Sequence, residues 1–246
     1  PAVVTGKPIP LGGSPGRTEA TGRGCIVVLD EALRSLGRSP EDTTVAVQGF
    51  GNVGSFAARI AAERGYRVVA VSDVHGAVHA GDGLDIDAVA GHLAESGSVV
   101  DAPGTEALER DSVLSLPVDV LIPAALGEVI HADNHEDIRA SLIIEGANHP
   151  VTPYADAALA ERGTLVVPDI LANAGGVTTS YFEWVQNIQQ FRWSEEDVNA
   201  RLKNRMVKAY RGVAEVAEAR QCTMREAAFV IAVQRVAEAS ALRGML

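Results

Sequence analysis

Cysteine is nearly absent from this chain: Cys25 and Cys222 are the only two. Two isolated thiols exclude a disulfide framework and a thiol-based zinc cluster. Nor is there any run of Lys or Arg; 32 acidic residues face 21 basic ones and the formal charge is -11. Nucleic acid and anionic membranes attract clustered cations, so neither is expected as a partner, and small-molecule work fits better. No stretch approaches the ~18 uninterrupted apolar residues of a membrane helix, and no basic-then-apolar leader opens the chain. A soluble cytoplasmic protein is the expectation. Pro1 is not Met, which points to an amino terminus that has been processed, cut or left out. No internal repeat is present.

What the chain does have centres on Val45-Ala46-Val47-Gln48-Gly49-Phe50-Gly51-Asn52-Val53-Gly54, an apolar strand running into G-x-G-x-x-G and then into a helix. Such glycines mean dinucleotide binding only when a strand precedes them, a helix follows and an acid stands about 20 positions further on. Thr44 to Gln48 is short, β-branched and bounded by polar Glu41-Asp42-Thr43, as a buried parallel strand reads. From Asn52 to Arg64, the residues Val53, Phe56, Ala57, Ile60 and Ala61 recur at helical spacing, and Gly65 supplies a stop. A second strand, Arg67 to Ser72, follows at once, with Asp73 at its carboxyl end, 19 residues after Gly54. Gly49 permits a tight turn, Gly51 lets the backbone approach a pyrophosphate and Gly54 lets the helix lie close to the strand. The unpaired N–H groups at the helix start then face the phosphates. Asp73 would accept hydrogen bonds from an adenosine ribose. A glycine-rich turn in another α/β protein would not need the acid in register.

With 47% hydrophobic residues in 246, the chain can bury a sizeable core. Pro1 to Gly16, dense in Gly and Pro, reads as an extended lead-in segment. From Thr18 a helix is expected, with Ile26, Val27, Leu29, Leu33 and Leu36 as its apolar stripe and Gly37 as its stop. After Asp73 come a short strand at Ala77 to His79, a helix from Leu84 to Glu95 and an ambiguous stretch from Ser96 to Pro103. Strands are read at Leu116 to Pro123, Ser141 to Gly146 and Leu165 to Pro168, with a helix at Thr152 to Arg162. Four strand ends therefore stand beside small or amide-bearing residues, and they are expected to line one cleft at the carboxyl edge of the sheet. From Val177 onward only long helices follow, one starting at Trp193-Ser194-Glu195-Glu196 with acids in its first turn. The expected fold is α/β: a Rossmann-like, doubly wound, mostly parallel sheet with a helical C-terminal extension. The dinucleotide-binding domain is assigned to 1–190, with 1–16 as the lead-in, and the extension packing on it to 191–246.

Six motifs in order carry a family resemblance: Thr5-Gly6-Lys7-Pro8 with Leu11-Gly12-Gly13-Ser14; Arg17-x-x-Ala20-Thr21-Gly22-x-Gly24; Gln48-Gly49-Phe50-Gly51-Asn52-Val53-Gly54; Ile122-Pro123-Ala124-Ala125; Glu145-Gly146-Ala147-Asn148; and Pro168-Asp169-x-x-Ala172-Asn173-Ala174-Gly175-Gly176-Val177-x-x-Ser180-Tyr181-Phe182-Glu183-Trp184. Together they resemble the cofactor-binding half of a glutamate dehydrogenase, over nearly the whole chain. The resemblance implies oxidative deamination of L-glutamate to 2-oxoglutarate and ammonia, with hydride passing to NAD; NADP stays open. Thr21 and Asn173 match positions that hold the nicotinamide carboxamide, Gly49 through Val53 (Gly49, Phe50, Gly51, Asn52, Val53) the pyrophosphate turn, with Gly54 completing the cofactor-binding set, and Asp73 the ribose acid. Ala124 and Ala125 stand at the next strand end, and Ala125 and Asn148 match residues lining the nicotinamide-side ribose. Ser180, with Val177 beside it, matches the position that helps to bind the substrate's distal carboxylate, and Arg17 one near the substrate mouth. The Ser-Tyr-Phe-Glu-Trp run is similar to glutamate enzymes and unlike the leucine and phenylalanine dehydrogenases of the same superfamily. A site built to hydrogen-bond a group rejects analogues that lack it.

In that family the catalytic lysine and aspartate lie in a preceding domain that has no counterpart here; no catalytic residue is therefore expected. Lys7 is the only lysine before residue 203, and its setting matches the interdomain segment. The expectation is a chain that binds a dinucleotide and does not deaminate glutamate alone. The competing reading is a non-catalytic NAD-binding module, either regulatory or docking on a partner; a full-length or N-terminal-domain partner is the expected kind. Because the resembled family forms hexamers largely through the absent domain, a monomer or weak homodimer is expected. Ala125-Leu126-Gly127-Glu128-Val129 departs from the polar turn of many relatives. An acid such as Asp73 repels a 2′-phosphate, which His75, if protonated, would soften. His131-Ala132-Asp133-Asn134-His135-Glu136-Asp137 has metal-compatible spacing, but reads rather as a solvated helix start capped by Asp133 or Asn134. No metal is expected. Lys203, Arg205, Lys208, Arg211 and Arg220 alternate with acids as on a solvated surface; Phe182, Trp184, Phe191 and Trp193 are read as packing residues.

Overall fold

The computed structural model describes residues 2–245; Pro1, with its non-Met start, and Leu246 lie outside them. Seven strands form one sheet: β1 (Thr44–Gln48), β2 (Arg67–Ser72), β3 (Ala77–His79), β4 (Glu106–Leu108), β5 (Val120–Pro123), β6 (Leu142–Ile144) and β7 (Leu165–Val167). Their spatial order is β4-β3-β2-β1-β5-β6-β7. β2, β1, β5, β6 and β7 run parallel, while β3 and β4 return antiparallel at one edge. The order reverses between β1 and β5, so the two halves of the sheet leave a crevice at the carboxyl ends of these strands.

Eight α-helices accompany the sheet among the described residues: α1 (Ala20–Ser35), α2 (Asn52–Glu63), α3 (Ile86–Ser96), α4 (Pro153–Glu161), α5 (Asp169–Ala172), α6 (Gly175–Gln189), α7 (Glu195–Arg220) and α8 (Met224–Leu242). The parallel strands bury both faces. Val45, Val47, Val120, Ile122, Leu142 and Ile144 join one hydrophobic core, while Ala46, Leu121 and Ile143, one residue out of step, join the other. That period of two, with helices on each side, is what makes the sheet doubly wound. Val198, Leu202, Met206 and Tyr210 of α7 and Met224, Ala227 and Ala228 of α8 belong to the first core.

Helix ends follow local chemistry. Asp85, Thr152, Ser194 and Thr223 each accept a backbone N–H from the first turn of the helix they precede, and Ser194 and Thr223 complete reciprocal capping boxes. Helix α1 lies unusually close to its neighbours. A methyl added at Gly22 would come 2.8 Å from the Val53 carbonyl oxygen of α2, and one at Gly175 of α6 would come 2.1 Å from the Ala20 carbonyl oxygen.

Several expectations need correction. The fifth strand begins at Val120, not Leu116; the preceding stretch forms a 3₁₀ turn at Arg110–Ser115 and then Pro117, which has no N–H to give a ladder. Strand β4 was not expected, because Glu106 and Ala107 are exposed edge residues without an apolar pattern. The His131–Asp137 stretch holds only a 3₁₀ turn at His135–Asp137. Asn134 ties the turn down, accepting from the His131 N–H at 2.8 Å and donating to the Val129 carbonyl. His135 is buried with its ring edge-on to Tyr154, so that face is not solvated. Of the four aromatics read as packing, Phe182 is buried against Trp193, whereas Trp184 and Phe191 are 40% and 66% exposed.

Candidate active site at the carboxyl edge of the sheet

The three glycines after β1 have three different reasons. Gly49 takes φ +92°, and a methyl there would meet Ala125 at 2.8 Å. Gly54 sits in the first turn of α2, and a methyl would fall 1.8 Å from the Gly49 carbonyl oxygen. A methyl on Gly51 would meet nothing within 4 Å. Gly49 and Gly54 are thus demanded by the fold, while Gly51 opens onto space at the start of a 12-residue helix. Those unpaired amides with open room in front of them fit a phosphate. The Phe50 side chain is core, so only its backbone can face a ligand. Asn52 is exposed and donates to the Thr18 carbonyl at 3.1 Å, drawing the start of α1 to the start of α2; Val53 lies one residue further in, half-buried.

A chain of contacts crosses the crevice from β1 to β7. Ala124 donates to the Gln48 carbonyl at 2.7 Å, and the Gly146 and Ala147 N–H groups both reach the Pro123 carbonyl. Asn173, at the end of α5, donates through Nδ2 to Asn148 Oδ1 at 2.8 Å and to the Ala147 carbonyl at 3.3 Å. These strand ends line one edge. Thr21 lies across from Gly176, where an added methyl would come 2.5 Å from its Oγ1. Arg17 donates through Nε to Ser180 Oγ at 2.8 Å, and Val177, one helical turn before Ser180, is 70% exposed. Among the described residues no carboxylate pairs with Arg17.

Asp73 stands at the end of β2, but its carboxylate is already engaged. Oδ1 accepts from the His75 and Gly76 N–H groups at 2.7 and 3.1 Å, and Oδ2 from the Val99 N–H at 2.6 Å. Partial burial pushes its pKa upward, but these donors and the Ser98 hydroxyl outweigh it and hold the carboxyl below its usual range. Asp73 stays ionised and uses most of its roughly four acceptor sites on its own hairpin turn and on the Ser98–Val99 segment after α3.

Sequence reasoning missed three supporting groups. Ser72 Oγ accepts the Gly49 N–H at 3.2 Å and braces the turn. Glu145, with its side chain fully buried, accepts the Asp169 N–H at 2.7 Å, and Asp169 in turn accepts the His149 N–H at 2.7 Å. The Glu145-Gly-Ala-Asn and Pro-Asp169 motifs were visible in the sequence; their mutual bonding was not. The Ala125–Val129 turn is exposed as far as Glu128, whose N–H donates to the His149 carbonyl. A cavity of about 610 Å³ lies elsewhere, lined by Thr164 to Val166 at the amino end of β7 and by the α7–α8 corner. No three His, Cys, Asp or Glu side chains come together in a metal-holding arrangement among the described residues. No described helix is long and apolar enough to cross a membrane.

Comparison with known proteins gives the chain its family. Residues 12–244 match the Glutamate/Leucine/Phenylalanine/Valine dehydrogenase family. A glutamate dehydrogenase of Thermotoga maritima is 51% identical over 244 residues, covering 99% of this chain and 59% of the relative. The chain superposes on a hetero-hexameric glutamate dehydrogenase of Thermus thermophilus in its Leu-bound form with a TM-score of 0.93 and 37% identity, covering 99% of this chain and 58% of that one. A glutamate dehydrogenase of Peptoniphilus asaccharolyticus gives 0.86 and 36%, covering 100% of this chain and 58% of that one. The chain therefore spans less than two thirds of the length of these relatives. On the match over residues 12–244, it belongs to the glutamate, leucine, phenylalanine and valine dehydrogenase family of oxidoreductases.

Proposed function

We propose that this chain is the NAD-binding half of a glutamate dehydrogenase. The observation that carries the reading is the β1–α2 turn, where the fold demands glycine at 49 and 54 but leaves room at 51 for a ligand. NAD, when bound, supplies the acceptor for the hydride that leaves the substrate Cα. The amides of Gly51 to Val53 would hold the pyrophosphate. Ionised Asp73 would face the adenosine ribose with the acceptor capacity left to it; its charge disfavours a 2′-phosphate, which supports NAD while leaving NADP as the competitor. Asn173 spends its Nδ2 on Ala147 and Asn148, so its Oδ1 remains to accept from a carboxamide N–H, with Thr21 across from it. Ala124, Ala125 and Asn148 would line the nicotinamide-side ribose.

The substrate wall follows from Arg17 and Ser180. Ser180 Oγ accepts from Arg17, so its own proton can be donated to a carboxylate oxygen, while the rest of the guanidinium offers charge and further N–H groups. A distal carboxylate, as in glutamate or 2-oxoglutarate, suits that pair, and Val177 completes the wall.

Proton transfer to and from the amine needs a base that this wall does not offer. Lys7, the only lysine before residue 203, is held by Glu183 Oε1 at 2.6 Å and is not available to activate water. The chain alone is accordingly read as cofactor-binding and inactive. The same ion pair is compatible with the second reading, a non-catalytic NAD-binding regulatory or partner-docking module derived from that family. Calorimetric titration with NAD and NADP, followed by a glutamate assay on the same sample, tests both. Saturable NAD binding without turnover is expected. Turnover would overturn the inactivity, and binding of neither dinucleotide would overturn the cofactor reading.

A further inference from the structure

Arg225 occupies the second position of α8, where the helix dipole presents positive partial charge and a cation is disfavoured. Its side chain is nonetheless 85% withdrawn from solvent, being 15% exposed, and its guanidinium meets three carboxylates, from the loop after β6, from α4 and from α5. Nη2 donates to Glu145 Oε1 at 2.6 Å, Nε to Asp156 Oδ2 at 3.1 Å, and Nη1 lies 3.5 Å from Asp169 Oδ1. Helix stability cannot explain an arginine there; the carboxylates can.

Two of those carboxylates are the posts of one wall of the crevice. Glu145 follows β6 and uses its other oxygen to hold the Asp169 N–H. Asp169 opens α5 and holds the His149 N–H, whose residue adopts φ +50°, a left-handed conformation that a non-glycine residue rarely keeps without support. Between these posts sit Asn148 and Asn173, bonded to each other at 2.8 Å. Neither asparagine touches Arg225, yet both loops that carry them are tied to it.

We propose that Arg225 is a positioning residue that fixes Asn148 and Asn173 for the nicotinamide end of the dinucleotide, acting through Glu145 and Asp169. The inference rests on the cofactor reading above and adds to it a residue far along the chain. Burial pushes the Glu145 carboxyl above its usual range, while burial of Arg225 is outweighed by its acidic partners, which hold the guanidinium charged.

The test separates the two ends of the cofactor. NADH and ADP-ribose, which lacks the nicotinamide, are titrated calorimetrically into the 246-residue chain and into Arg225→Lys, Arg225→Met and the double variant Arg225→Met/Glu145→Gln. The double variant removes the buried carboxylate that Arg225→Met would leave unpaired, in case that variant does not fold. The wild type is expected to bind NADH more tightly than ADP-ribose. The folded Met variants should lose roughly tenfold for NADH, about one charged hydrogen bond's worth, with ADP-ribose changed by less than about twofold. Arg225→Lys, which keeps the charge but not the fork, should recover part of the loss. An equal loss for both ligands, no loss for NADH, or a wild type that does not distinguish the ligands would each overturn the inference alone. A wild type that binds neither ligand would overturn the cofactor reading as well.

Discussion

Two stretches of the same sheet edge are built in opposite ways. At the end of β1 the turn is made of backbone: glycines where side chains cannot fit, a carbonyl 1.8 Å from any methyl on Gly54, and one serine hydroxyl as brace. At the ends of β6 and β7 the loops are made of charge: Glu145 and Asp169 gathered around Arg225. The first is exact because nothing larger fits, the second because three acids share one cation. Steric exclusion tolerates no substitution but ignores pH and salt. A charge network tolerates backbone variety but fails when one member goes.

The largest expected effect lies in the charged stretch. Arg225→Met leaves fully buried Glu145 facing two other carboxylates, and loss of one partner of a buried ion pair costs about 3–5 kcal/mol. Urea unfolding of the variant should show this, and Arg225→Met/Glu145→Gln should recover part of it. A single variant as stable as wild type would mean that the acids relax into solvent and that the contrast is false.

The steric stretch is broken next. Gly54→Ala should cost about 1–3 kcal/mol of overpacking, whereas Gly51→Ala, with open space ahead of it and a φ of -76°, should stay within about 0.5 kcal/mol of wild type. The same Gly51→Ala should nevertheless weaken NAD binding in calorimetry. Equal stability losses at both positions would contradict the division between a glycine for the fold and a glycine for the ligand.

The smallest effect sharpens the comparison through pH. Asp73 titrates below its ordinary 3.8 in the folded chain, so it contributes stability above that pH that is lost as pH falls through its folded value. Glu145 titrates above its ordinary 4.5, so its contribution is fully present below 4.5 and is lost as pH rises through the folded value. In unfolding curves taken across the acid range, Asp73→Asn should make the acid-side loss of stability shallower and Glu145→Gln should make it steeper. Shifts of the same sign in both would show that the two carboxylates share one environment.

The same contrast explains what the sequence made legible. Strand, glycines, helix and acid around Gly49 lie within 30 positions, from Thr44 to Asp73, and each constrains its neighbours, so β1, α2 and β2 are found where the pattern sets them. The helix start at Ser194 is equally local, with its acids in the first turn. Arg225 and Glu145 are 80 residues apart, and no short-range pattern links an arginine near a helix start to an acid after a strand. Asp73 was legible as an acid in register, but its three backbone donors depend on how the hairpin and Val99 fold back. β4 stayed hidden because an exposed edge strand needs no apolar alternation.

The close seating of α1 carries a last consequence. Its Gly22 and Ala20 press against α2 and α6 with no room for one added carbon, at 2.8 and 2.1 Å. Helix α2, which begins at the glycine turn, and α6, which bears Ser180, are therefore keyed to a common spine. Neither can slide relative to the other without α1 moving too. Over evolutionary drift the two walls of the crevice must then travel together: a chain of this design can exchange the exposed side chain at 177 or the hydroxyl at 180, but it cannot re-space α2 and α6 by small steps.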